Sequence, residues 1–235
     1  MADPISRASV PDQVFARLRA AILSGSYAPG ERLPAQRALA ADLGVNMSTV
    51  REALGRLEQL RLVEVRHGDG MHVRDWRRSG GLEALALVGG GSGADRELTI
   101  DLFEARRLLL AEAARLAAGR RSDEQARALA ELAAAVAVAP DDDSALLADW
   151  AFMAQLVEAA GNLVFQLIMN SVRELYLPHA EAFAAIVTGR EELVPLYDAV
   201  AGAIDDGDSD AAAAAMRELA LAQGRRIAQA AAASR

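Results

Sequence analysis

Asn46-Met47-Ser48-Thr49, followed by Arg51, places short hydrogen-bonding side chains and one guanidinium at the start of an amphipathic stretch. Asn46 is a good N-cap, and the unpaired N–H groups of a helix N-terminus favour phosphate. The same end of a helix laid in a DNA groove meets base edges. Arg37 lies one segment earlier, and His67-Gly68-Asp69-Gly70 forms a polar, glycine-containing turn one segment later. Glycine removes bulk there, so the turn can approach a sugar–phosphate backbone. Chemistry of other kinds has few residues to use. The chain has no cysteine, which excludes thiolate metal sites, disulfides and thiol nucleophiles. Its three histidines are His67, His72 and His179, and no Gly-x-Ser-x-Gly, Walker loop or His-Glu-x-x-His is present.

The surrounding elements fit that first reading. Val14, Leu18 and Ile22 fall on one face of a helix expected over 11–24. Pro34 suits a helix start, and a helix over 35–43 is closed by Gly44. A third helix runs from the Asn46 cap to about residue 60. Alternating residues at 62–65 and 71–73 around 66–70 predict a β-hairpin. Residues 26–33 read as a loop. Helix, turn, helix and hairpin make a winged helix–turn–helix over 1–76. Glycine-rich residues 77–94 read as a linker with a possible short helix at 82–88. Helices are expected over 97–118, 123–138, 144–160, 163–186, 193–205 and 209–232, an antiparallel all-helical bundle within 95–235. The fold class is mainly α.

Charge divides along the same line. Residues 1–78 hold 12 arginines against nine acidic residues, a net +3, whereas 79–235 hold 13 against 24, a net −11. A mildly basic front on an acidic back implies two tasks within a chain whose total charge is −8. No signal peptide and no apolar run of membrane-spanning length are visible, so a cytoplasmic protein with no membrane partner is expected.

Leu33-Pro34-Ala35-Gln36-Arg37, Leu43-Gly44-Val45, Thr49-Val50-Arg51-Glu52-Ala53-Leu54, Leu57 and Val65-Arg66-His67-Gly68 resemble the GntR family of bacterial transcriptional regulators over about residues 11–74. The resemblance implies DNA contacts from Arg37, Ser48, Thr49, Arg51, His67 and Gly68, beside the capping Asn46. Met47 departs from it, standing where the family commonly has arginine, and methionine cannot make a bidentate contact with guanine. The second half is similar to the FadR-type effector domain through Phe103-Glu104-Ala105-Arg106, Asp149-Trp150-Ala151-Phe152, Ala159-Ala160-Gly161-Asn162 and Ala203-Ile204-Asp205-Asp206-Gly207-Asp208.

Many members of that subfamily hold a metal with one aspartate and three histidines. Here Asp149 takes the aspartate position, and Met153, Tyr197 and Leu219 take the histidine positions, so no metal and no cofactor are expected. Asp149 then caps a helix or pairs with an arginine. The missing histidines, with the stretches 76–85 and 162–176, resemble acyl-CoA-responsive members. They imply a long-chain acyl-CoA effector and a repressor of fatty-acid metabolism that binds a palindromic operator as a homodimer. Effector-binding candidates are Arg106, Asp149, Phe152, Met153, Leu156, Asn162, Arg173, Tyr176 and Tyr197. Leu109, Phe152, Leu156, Leu167, Met169 and Tyr176 either line an acyl cavity or fill the core. Arg106, Arg107 and Arg173 are the candidates for CoA phosphates, and Arg106 could equally pair with Glu104 or Asp149. Ala220, Gln223 and Ile227 differ from the acyl-CoA sensors, which keeps a small carboxylate or sugar acid open as the effector. An enzyme domain fused to a DNA-binding module is the remaining alternative.

Overall fold

A computed structural model describes residues 9–82, 96–176 and 183–233, and the chain divides into two compact units, Met1–Val88 and Gly89–Arg235. That division falls inside the stretch expected as a linker. The short helix expected at 82–88 lies outside the described residues, apart from Leu82.

In the first unit, α1 (Val10–Leu23) begins at a reciprocal cap: the Ser9 hydroxyl accepts from the Asp12 N–H, and the Asp12 carboxylate accepts from the Ser9 N–H at 3.1 Å. Helix α2 (Gln36–Leu43) ends at Gly44, whose φ of +67° is the left-handed conformation that glycine adopts without strain. Helix α3 (Met47–Gln59) follows almost at once. Val14, Leu18 and Ile22 of α1 close on Leu39, Val50, Leu54 and Leu57, and these side chains form one buried core.

Strands β1 (Val63–Arg66) and β2 (Gly70–Val73) pair antiparallel with Val63 opposite Val73 and Val65 opposite Met71. The expected loop 26–33 does more than connect. Gly30 N–H donates to Val73 O at 2.8 Å, Val73 N–H to Glu31 O at 2.8 Å and Leu33 N–H to Met71 O at 2.9 Å, so it lines the open edge of β2. Helix α4 (Trp76–Ser79) is capped by Asp75, and Trp76 packs on the same core.

The second unit is helical: α5 (Arg96–Arg120), α6 (Asp123–Val138), α7 (Asp142–Ala159), α8 (Leu163–Tyr176), α9 (Val194–Asp205) and α10 (Ser209–Ala233), with short 3-10 turns at Ala184–Ile186 and Arg190–Glu192. The single helix expected over 163–186 is corrected: α8 is described to Tyr176, and Ala184–Ile186 is a 3-10 turn. Helix α10 packs along α5 and α9, while α7 packs on α5 and α6. Ala113, Ala114 and Ala117 are buried, and their small side chains admit Phe152, Leu156, Tyr197, Val200 and Met216 to one core.

Arginines tie off two helix ends. Arg121 donates to Ile204 O at 3.1 Å and Asp205 O at 2.6 Å, and Arg120 donates to Ala160 O at 2.9 Å. Each meets carbonyls at a helix C-terminus, where the intrahelical i+4 donors run out.

Candidate functional site

Two groups of residues stand out, one in each unit. In the first, Asn46 Oδ1 accepts from the Thr49 N–H at 2.8 Å and fixes the start of α3. Val50, Ala53, Leu54 and Leu57 turn this helix's apolar face inward, which leaves Met47, Ser48 and Arg51 exposed on the other side. Thr49 does not join them. It is only 8% exposed, because the 100° step from Ser48 carries it to the buried side next to Val50. Arg37 is exposed on α2.

At the hairpin turn, His67 and Gly68 are exposed, Gly68 with φ +76°. The turn is braced from behind by a residue that the sequence reading did not single out. His72 is buried, with Nδ1 3.1 Å from Gly30 O and Nε2 2.8 Å from Asp69 Oδ2. Arg32 Nη1 lies 3.5 Å from the same aspartate. The Asp69/His72 spacing across the turn was the available signal, but the Gly30 and Arg32 contacts are non-local.

In the second unit, Asp149 sits within α7 and neither caps a helix nor pairs with an arginine, which corrects both expectations. Its Oδ1 accepts from Tyr197 Oη–H at 2.5 Å and from Gln223 Nε2 at 2.8 Å, and Gln223 Nε2 is also 2.8 Å from the Tyr197 oxygen. All three side chains are buried, joining α7, α9 and α10. The residue of α10 that reaches Asp149 is therefore Gln223, one turn beyond the expected Leu219, which packs in the apolar core. Met153, one turn after Asp149, is core as well. One carboxylate whose Oδ1 already accepts two hydrogen bonds, with a thioether, a phenol and an amide, does not fit a transition metal. No cluster of three or more histidine, aspartate or glutamate residues suited to a metal occurs among the described residues.

Two buried polar atoms of this unit lack partners. Arg106 Nη1 and Gln223 Oε1 are both buried without a hydrogen bond. A Cβ on Gly224 would meet the Phe103 ring at 3.7 Å, so the residue after Gln223 lies beside Phe103, and Arg106 follows Phe103 by about one turn of α5.

The other expected effector residues are dispersed. Phe152 and Leu156 are fully buried in the core, Phe152 edge-on to Tyr197 with centroids 5.2 Å apart. Leu109 and Leu167 are 38% and 55% exposed, so the expected acyl lining is split between core and surface. Met169 is half-buried against the core. Asn162 Oδ1 accepts from the Val164 N–H at 3.0 Å and so caps α8. Arg107 is half-buried and Arg173 exposed, while the side chain of Tyr176 lies outside the described residues.

A basic winged helix joined to a helical bundle with a polar cluster sealed in its core defines a DNA-binding regulator with a separate sensing domain. Residues 11–73 match the model of the bacterial regulatory proteins, gntR family, and residues 101–222 match the FCD domain. The HTH-type transcriptional regulator Mce2R of Mycobacterium tuberculosis is 36% identical over 217 residues, covering 92% of this chain and 90% of its own. The fatty acid metabolism regulator protein of Serratia proteamaculans is 31% identical over 155 residues, 66% of this chain and 64% of its own. Among solved structures, Streptococcus agalactiae GntR superposes with a TM-score of 0.50 at 28% identity, covering 92% of this chain and 99% of that one. The chain belongs to the GntR family of DNA-binding transcriptional regulators and carries an FCD domain as its second half.

Proposed function

We propose that this regulator binds a palindromic operator as a homodimer and is released from it by a small carboxylate held in the bundle beside Asp149, Tyr197 and Gln223. The observation that carries the reading is the pair of unpartnered buried atoms, Arg106 Nη1 and Gln223 Oε1. A buried donor or acceptor left unmet costs about 1–3 kcal/mol, so a group that satisfies it recovers that amount on binding. A ligand with a carboxylate for Arg106 and a hydroxyl or amine for Gln223 answers both. Arg51, Ser48, Asn46 and Arg37, with His67 and Gly68 of the wing, supply the DNA face. Thr49 contributes through its N–H to the Asn46 cap.

The mechanism is a population shift. Two winged helices in a dimer must match successive major grooves, and a ligand that prefers one bundle conformation changes how often they do. A coupling of ~1–3 kcal/mol changes operator affinity about 5–150-fold.

A second reading takes long-chain acyl-CoA as effector and fatty-acid metabolism as the regulated process. The Serratia relative's name and the apolar Phe152 and Leu156 favour it. It requires Arg106, Arg107 and Arg173 to meet the CoA phosphates. Gel-shift release of operator DNA separates the two. Release by hydroxy or amino acids, lost in Arg106→Ala while operator binding persists, supports the first. Release that climbs with acyl chain length, at about 0.8 kcal/mol per buried methylene, and exceeds that by free CoA, replaces it with the second. No release by either class overturns both.

A further inference from the structure

We propose that Met47 is a base-reading residue of α3 and that it takes up the C5-methyl group of a thymine in each operator half-site. Met47 is the first residue of the helix and is 43% exposed, an apolar side chain between the exposed polar residues Asn46 and Ser48. It makes no part of the buried core of its unit. Arg51 stands one turn further along the same exposed side, so Met47, Ser48 and Arg51 face outward together while Val50, Ala53 and Leu54 hold the opposite side. The cap at Asn46 sets where Met47 begins.

In the major groove, the thymine methyl is the one apolar group among the base edges, and the other edges present hydrogen-bond donors and acceptors. A thioether can neither donate to guanine O6 and N7 nor satisfy the cytosine amino group, so a G·C pair under Met47 loses its water without compensation. Against a thymine methyl the same side chain removes apolar surface on both partners. Its unbranched, polarizable chain adapts to small differences in groove shape. Met47 thus selects positively for T·A and negatively against G·C.

This inference rests on α3 entering the groove, and the experiment keeps the two apart. The full chain is used to select an operator from a random duplex library. Each thymine of the selected site is then replaced singly by deoxyuridine, which deletes only the methyl group. The wild type should lose about fourfold in affinity at one position per half-site, the worth of one buried methyl. Met47→Ala should bind more weakly yet be indifferent to deoxyuridine there, and Met47→Arg should shift the preferred base at that position to guanine. Wild-type binding unaffected by deoxyuridine at every position, an equal penalty in Met47→Ala, or a selected site without a fixed thymine overturns the proposal. Arg51→Ala reports on the helix itself. If it weakens binding while the deoxyuridine scan is silent, only the role of Met47 falls. If neither Arg51→Ala nor Met47→Ala changes binding, α3 is not the reading helix.

Discussion

Asp149 lies where water cannot solvate a carboxylate, and two donors from other helices take water's place. Tyr197→Phe deletes one of them without changing shape. The remaining acceptor capacity is then unmet inside the core, so the variant should lose about 1–3 kcal/mol of unfolding free energy. Urea unfolding followed by far-UV circular dichroism measures this, and an unchanged midpoint would show that the hydroxyl carries no stabilising bond. The same geometry bears on metals. Because Asp149 Oδ1 is taken up by Tyr197 and Gln223 and the neighbouring side chains are a phenol, an amide and a thioether rather than imidazoles, purified protein should carry no stoichiometric zinc, nickel or manganese, and chelator should leave its Tm unchanged. About one metal per chain by elemental analysis contradicts that reading.

Helix ends give predictions at the next scale. Asp141 caps α7 by accepting from the Ser144 N–H at 2.7 Å, and its carboxyl is held below the ordinary 3.8, chiefly by hydrogen bonding to Ser144 and further by the charge of Arg190. Asp12 is lowered in the same way by Ser9 and then by Arg56 of α3, its ion-pair partner at 2.7 Å. A carboxyl with a depressed folded-state pKa contributes stability that is present above its unfolded value and is lost as pH falls through the folded one. Stability should therefore decline below about pH 4. Asp141→Asn keeps a capping side chain but does not titrate, so its unfolding midpoint should fall less between pH 6 and pH 3 than that of the wild type. Parallel declines would count against this role.

These local devices were legible in the sequence, because an Asn or Asp before a periodic run and a glycine after one act within a turn. The Asn46 cap, the Gly44 terminus and the hairpin around Gly68 all stood where residue type placed them. Non-local choices were not legible. Nothing near Gly30 signals that it pairs with Val73, and Thr49 is polar although its helical position is buried. In α10, the run Ala211–Ala215 and the alternation of small and large residues after it leave the facing residue undetermined by a turn, which is how Gln223 rather than Leu219 meets Asp149.

For the whole molecule the decisive property is coupling between the basic unit and the acidic one. If a small carboxylate lowers operator affinity by some factor, linkage requires operator DNA to lower the affinity for that carboxylate by the same factor. The proposed coupling places the factor at about 5–150. Calorimetric titration of the carboxylate into free protein and into operator-saturated protein measures it directly, while gel shift with and without the ligand measures the reciprocal quantity. Both should agree at one salt concentration, which must be held fixed because each phosphate contact that a protein makes lowers DNA affinity as salt rises. Arg106→Ala should abolish both effects together and leave operator binding near its wild-type value, since this arginine belongs to the bundle and not to the DNA face. A ligand that displaces DNA but binds the free and DNA-saturated protein equally well cannot be acting through the bundle. It would have to act on the DNA rather than on the protein, because a competitor at α3 would bind the free protein and be excluded from the DNA-saturated one.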